Sequence, residues 1–305
     1  MPAAIEGVLP VLATPFTADG EIDLPALRDE ISWVFDQGAD GVVMGMVSEC
    51  LRLSSEERDS LASAICRFAD GRGTVTTSVG AESLHTAIRH ARAAESSGVT
   101  AVMAILPVAT AAEDEEIMRY YAGIVEAIEI PVVVQDASGY LGRPLSVDVQ
   151  ARLFHEFGDR TLFKPEAQPI GPRLTALRDA TSGAASVYEG TGGLALVDSY
   201  RRGIAGTMPG PDVVWALVAL WQALETGDET RVQMLHGPLC RLVSILTGLD
   251  LFVSIEKHLL RRQGVLPNTF SRGPFGFVPD PETLAEVDRL FDLLRATVDS
   301  LGTAT

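Results

Sequence analysis

Two lysines, Lys164 and Lys257, stand among 305 residues, against 22 arginines, so any chemistry that needs a side-chain amine has two candidates. The first lies in Thr161-Leu162-Phe163-Lys164-Pro165-Glu166, where apolar residues lead up to it as a strand would. Side chains two apart on a strand share a face, so Lys164 and Glu166 project together and Pro165 points away. An amine among apolar neighbours is left partly unprotonated and able to attack a carbonyl carbon, and a carboxyl beside it can move protons. The same spacing also suits an ordinary Lys–Glu surface pair. Lys257 is the weaker candidate because its surroundings have helical period.

Three further stretches carry polar groups at the ends of apolar runs. In Gly45-Met46-Val47-Ser48-Glu49, a short hydroxyl and free backbone N–H groups suit a substrate carboxylate, with Ser48 as the side-chain donor; a solubilising turn fits equally. In Val134-Gln135-Asp136-Ala137-Ser138-Gly139-Tyr140, the side chains of Gln135, Asp136 and Tyr140 could bond the hydroxyls of a polyol, although Asp-x-Ser-Gly is also good turn chemistry. In Glu189-Gly190-Thr191-Gly192-Gly193, and again in Gly206 to Gly210, glycines let the backbone approach a ligand closely or simply turn tightly. Cys50 has no histidine near in sequence to activate it, and the five histidines show no ligand spacing, so neither a thiol nucleophile nor a metal site is expected.

Composition narrows the setting. A formal charge of −17 disfavours binding to nucleic acid, which needs clustered Lys and Arg. Three widely spaced cysteines make neither a disulfide framework nor a zinc pattern. No apolar run approaches the roughly 20 residues of a membrane span, and the opening MPAAIEGVLPVLATPF lacks the basic and apolar regions of a secretory signal, so a cytoplasmic protein without a membrane partner is expected.

The elements that must position these residues follow from periodicity. Short apolar runs at Val8–Thr14, Gly41–Met46, Thr74–Ser78, Ala101–Leu106, Pro131–Gln135, Leu162–Pro165, Ser186–Tyr188 and Ile204–Met208 predict eight strands. Between them lie amphipathic helices: Asp23 caps a stripe of Leu24, Leu27, Ile31 and Val34, Ser54 and Glu57 have capping-box spacing, and Ser83 opens a third helix. Strands with continuous apolar character indicate a parallel sheet covered by helices, hence an α/β fold of the (β/α)8 TIM barrel type. An open doubly wound sheet is the alternative, but no strand is followed by GxGxxG or a P-loop. Residues 1–211 are assigned to the barrel, and 212–305 to its final helix and a C-terminal helical extension that pads it or mediates association. Active sites of such barrels lie at the C-terminal ends of the strands, where all four stretches fall.

In their order along the chain these motifs resemble the dihydrodipicolinate synthase / N-acetylneuraminate lyase superfamily, whose barrels form Schiff bases with 2-keto acids. The likeness covers Val11-Leu12-Ala13-Thr14-Pro15-Phe16, Asp19-Gly20, the Gly45 to Glu49 loop, Leu53-Ser54 with Glu57-Arg58, the Lys164 strand, and Lys257 to Gly264 with Arg272 and Pro274. The departures are specific. The family loop's two hydroxyl residues fall on Met46 and Val47, its strand-five relay tyrosine falls on Gln135, Val108 stands where Pro-Tyr is usual, and Tyr140 replaces an arginine that holds an aldehyde substrate's carboxylate. These point away from dihydrodipicolinate synthase itself.

One branch absorbs the departures: the chain is similar to L-2-keto-3-deoxyarabonate dehydratases and related sugar-acid dehydratases. Val47-Ser48-Glu49 matches their F-S-E with Phe replaced, Val134 to Ala137 their V-Q-D-A, and Phe163, Lys164 and Glu166 their F-K-x-E. Glu189 to Gly193 and Gly206 to Gly210 match their E-G…G-G and G-x-M-x-G. The resemblance implies that Lys164 forms the imine without a separate cofactor and that Glu166 replaces the tyrosine as acid and base. It implies a substrate seat including Val47, Ser48, Gln135, Asp136, Tyr140, Glu189 and Gly190, a small-molecule 2-keto acid as partner, and a homo-oligomer, tetramer or dimer. Dehydration of a 2-keto-3-deoxy sugar acid leads. A pyruvate-dependent aldolase or dihydrodipicolinate synthase-type condensation is the second reading, and a barrel that binds a keto acid without turnover the third.

Overall fold

Five of the apolar runs pair side by side in chain order in the computed structural model, which describes residues 4–138 and 144–302. They are β2 (Gly41–Met44), β3 (Thr74–Ser78), β4 (Ala101–Ile105), β5 (Val132–Asp136) and β6 (Thr161–Pro165). A second parallel ladder joins β1 (Gly7–Val8), β8 (Gly206–Thr207) and β7 (Tyr188–Glu189) in the order β1-β8-β7. Two parallel bridges, Val11 to Val43 and Phe163 to Val187, join the ladders at both edges and close the ring. The result is a (β/α)8 barrel.

The first strand is shorter than its apolar run because Pro10 has no N–H to give the ladder. Around it the backbone stays extended: Leu9 N–H donates to Thr207 O at 2.9 Å, Val11 N–H to Pro209 O at 2.7 Å, and Pro10 O accepts from Val43 N–H. Helices follow each strand: α1 (Leu24–Asp36), α2 (Ser55–Ala69), α3 (Leu84–Ser96), α4 (Asp114–Glu126), α5 (Val147–Phe157), α6 (Ile170–Ala180), α7 (Leu196–Arg201) and α8 (Val214–Thr226). Their starts are where capping chemistry puts them. Asp23 accepts from Ala26 N–H, Ser54 and Glu57 bond reciprocally as a capping box, and Ser83 accepts from Thr86 N–H.

Alternation along the strands sorts their side chains into two cores. Leu9, Val11, Val43, Met103, Val133, Leu162, Tyr188 and Met208 fill the barrel interior. Val132, Val134 and Phe163, one residue out of phase, pack outward against helical residues such as Ile124, Val149 and Leu174.

Beyond β8 the chain is helical: α8 is followed by α9 (Glu229–Val243), α10 (Leu249–Arg262) and α11 (Pro281–Gly302). α8 is apolar on all sides because it is sandwiched, with β1 on one side and α9 and α11 on the other. Trp215 and Phe291 meet edge to face across that seam, their ring centroids 5.8 Å apart. Among the described residues no helix is long and apolar enough to cross a membrane.

Candidate active site

β5 and β6 pair with Gln135 opposite Lys164. Val133 and Leu162, two residues earlier on each strand, belong to the inner core, so the same alternation turns Gln135 and Lys164 inward. Lys164 is 4% exposed, and its Nζ lies 3.4 Å from Oε1 of Glu166. The other carboxylate oxygen, Oε2, accepts from Gln135 Nε2 at 2.8 Å. Burial pushes the Glu166 carboxyl above the usual range; the Lys164 charge and the hydrogen bonds from Gln135 and Lys164 oppose it, and the Glu189 charge adds to it.

Gly190 closes another side. A Cβ there would fall 2.6 Å from Lys164 Cε and 2.7 Å from Glu166 Oε1, so any side chain would force the pair apart. Over the pair opens a cavity of about 30 Å³, walled in part by Val11, Met46, Val47, Met208 and Phe252. That is room for about two waters. A wider cavity of about 280 Å³ shares Gln135 with it and is lined by residues 105–112 and 135–137.

Of the residues singled out from sequence, Lys164, Glu166, Gln135, Val47 and Gly190 meet at this cavity. Ser48 does not. It is 1% exposed, its hydroxyl donates to Leu12 O, and its Oγ accepts from Gly45 N–H at 3.0 Å, so both roles are committed to holding the loop. Asp136 borders the wider cavity, yet strand alternation turns its carboxylate outward, where it accepts from Ser138 N–H at 3.1 Å and Leu145 N–H at 3.0 Å and pairs with Arg173 at 3.5 Å. Glu189 is buried beside the site, its Oε1 accepting from Thr191 and its Oε2 from Thr207 Oγ1 at 2.7 Å. Tyr140 lies outside the described residues.

Helix α10 contributes what sequence reasoning missed. Phe252 and Glu256, one turn apart, line the Lys164 cavity. The signal was an acid interrupting the apolar stripe of Phe252, Val253, Ile255, Leu259 and Leu260. The next residue, Lys257, faces elsewhere. Its Nζ donates to Glu49 Oε1 at 2.5 Å and Phe270 O at 2.8 Å and stands 4.7 Å from the centre of the Phe16 ring. Burial holds this ammonium below its ordinary pKa, against the pull of Glu49.

An amine with one ionic partner, a carboxyl raised toward neutrality and an amide that orients it form a set suited to imine chemistry and proton transfer at a neighbouring carbon. Comparison with known proteins places the chain in a family. The model of the dihydrodipicolinate synthetase family matches residues 4–290. An L-2-keto-3-deoxyarabonate dehydratase from Azospirillum brasilense is 28% identical over 294 residues, covering 92% of each chain. A 4-hydroxy-tetrahydrodipicolinate synthase from Chloroherpeton thalassium is 28% identical, covering 87% of this chain and 88% of that one. The crystal structure of dihydrodipicolinate synthase from Rhodopseudomonas palustris superposes with a TM-score of 0.87 at 25% identity, covering 95% of this chain and 98% of the other.

Proposed function

The chain belongs to the dihydrodipicolinate synthetase family, whose members are lyases, and on that premise we propose that it removes water from a 2-keto-3-deoxy sugar acid through an imine on Lys164. The observation that carries the choice of reaction is Gln135, the inward residue opposite Lys164. An aldolase must take the proton of the C4 hydroxyl so that the C3–C4 bond can break, and Gln135 has no titratable proton with which to do so. Its amide donates to Glu166 instead.

On this reading the steps are as follows. Lys164 adds to the C2 carbonyl and expels water to give the imine. Glu166, 3.4 Å from that nitrogen, removes a C3 proton and leaves an enamine. The enamine pair then expels the C4 hydroxyl, which takes up a proton as it leaves as water; hydrolysis of the imine frees the product and Lys164, and Glu166 returns the C3 proton to solvent. Because the Ser48 hydroxyl is committed, the substrate carboxylate falls to the backbone N–H groups of Met46 and Val47, which serve no other acceptor among the described residues. The similarity to the A. brasilense dehydratase over nearly the whole chain supports this reaction.

Incubation with 2-keto-3-deoxy pentonates and hexonates tests it. Dehydrated keto acid should accumulate without free pyruvate, and borohydride should fix the substrate carbon to Lys164. Glu166→Gln should still give the borohydride adduct while losing roughly 10²- to 10⁴-fold in dehydration. Release of pyruvate with an aldehyde, or efficient condensation of pyruvate with aspartate semialdehyde, would turn the assignment to an aldolase. Binding without any trapped adduct would leave only a keto-acid-binding barrel.

A further inference from the structure

Glu256 has no part in the steps above. It is 1% exposed, reaches the Lys164 cavity from α10, and keeps its Oε2 buried without a hydrogen-bond partner among the described residues. An orphaned oxygen of this kind is costly in a carboxylate, less so in a neutral carboxyl group whose bonding a ligand completes. Room for it is made by Gly210, after β8: a Cβ there would overlap Glu256 Oε1 and stand 3.0 Å from Asp212 Oδ1. The two carboxyl groups thus flank one missing side chain in a common buried space. Burial pushes Asp212 up to about 7. It pushes Glu256 well above the carboxylate range, with the charges of Asp212 and Glu30 adding and those of Lys164 and Lys257 opposing. Both directions favour the protonated form of Glu256, the member that lines the cavity.

Glu166 and Glu256 sit in opposite surroundings. The Gln135 amide and the Lys164 charge both stabilise the ionised form of Glu166, which suits a base. No donor meets Glu256 Oε2, which suits an acid. We propose that Glu256 is the proton donor to the departing C4 hydroxyl, so that two carboxyl groups share the dehydration, Glu166 at C3 and Glu256 at C4. Resting as it does on the dehydratase assignment, this balances as follows. Glu166 gains the C3 proton, the C3=C4 bond forms as C4–O breaks, the iminium is restored at C2, and Glu256 gives its proton to the oxygen that leaves as water. Glu166 ends with one proton more and Glu256 with one fewer, and transfer of one proton between them through solvent resets the site.

The test is Glu256→Gln, which keeps the shape and removes the acid. Pyruvate and borohydride should still mark Lys164, and exchange of the pyruvate methyl protons in deuterium oxide, which needs Lys164 and Glu166, should proceed at the wild-type rate. Dehydration of the 4-hydroxy substrate should fall by roughly 10²- to 10⁴-fold in kcat. A 4-fluoro analogue of the same acid loses fluoride, which needs no proton, and the variant should turn it over within about fivefold of wild type. A purely structural role would slow both substrates alike. Equal slowing, or a variant that dehydrates the hydroxy acid within about threefold of wild type, overturns the role of Glu256 and leaves the dehydratase assignment standing. A wild-type enzyme that releases pyruvate from these acids, or acts on neither, overturns both.

Discussion

The two lysines of this chain are both buried, 4% and 1% exposed, yet their surroundings are opposites. Around Lys257 every direction is filled. Glu49 and the Phe270 carbonyl accept its protons, and the Phe16 ring lies beneath it. Glu49 also accepts from the backbone N–H of Arg272, whose guanidinium binds both oxygens of Glu57 and the carbonyl of Gly20. Around Lys164 there is one carboxylate at 3.4 Å and a cavity. Burial alone does not make an amine a nucleophile. What separates the two is whether the nitrogen has an unfilled direction, and on the proposed reading it is from there that a carbonyl carbon approaches Lys164.

Lys164→Ala is the severest test of that contrast. Turnover should vanish and pyruvate with borohydride should add no mass, while circular dichroism and Tm stay near wild type. A borohydride adduct mapped to Lys257 in either protein would break the comparison outright. Lys257→Met should do the converse: with Glu49 left buried and holding only Arg52 at 3.4 Å and the Arg272 N–H, stability should drop by up to about 3–5 kcal/mol in urea unfolding, while the folded fraction still forms the imine. If that variant is as stable as wild type, the knot around Glu49 is not holding the extension to the barrel.

Ser48→Ala separates a structural hydroxyl from a substrate-binding one. Losing its bonds to Leu12 and Gly45 should cost about 1–3 kcal/mol of stability and leave kcat/KM within about twofold. A large loss of kcat/KM at unchanged stability would return Ser48 to the substrate. A further effect is expected on pH dependence. Burial pushes Glu30, which accepts from Ala13 N–H and feels the Lys257 charge, up to about 8. Between its unfolded value of 4.5 and about 8 the folded chain holds a proton that the unfolded chain has lost. Its contribution is therefore full below 4.5 and declines as pH rises through that window. The Tm of Glu30→Gln should fall less steeply from pH 5 to 8 than that of wild type, and an unchanged slope would clear Glu30.

The barrel and the Lys164–Glu166 pair were legible because they depend on local period: alternation puts residues 164 and 166 on one face whatever lies around them. The capped helices were legible for the same reason. Ser48 was misleading because a hydroxyl's chemistry is the same whether its partner is a substrate or the Leu12 carbonyl, and only the fold brings Leu12 there. Gln135 and Asp136 were both named from sequence, and the phase that turns the first inward and the second outward is fixed only by the pairing of β5 with β6. Glu256 was invisible because the cavity it reaches is walled by residues of β5, β6 and the loop after β8, far away in sequence. Resemblance carried a further lesson. Glu49, Glu57, Lys257 and Arg272, prominent in the family likeness, form the joint between barrel and extension and lie outside the lining of the Lys164 cavity.

That α10 supplies Phe252 and Glu256 to the cavity sets an order of events during synthesis. The strands that carry Gln135, Lys164 and Glu166 leave the ribosome well before residue 256, and chains emerge at roughly 5–20 residues per second. For the seconds in between, a nascent barrel has its amine but not the wall beside it. The cavity is therefore complete only with the tail, and a chain cut short before α10 would carry Lys164 in an unfinished vessel.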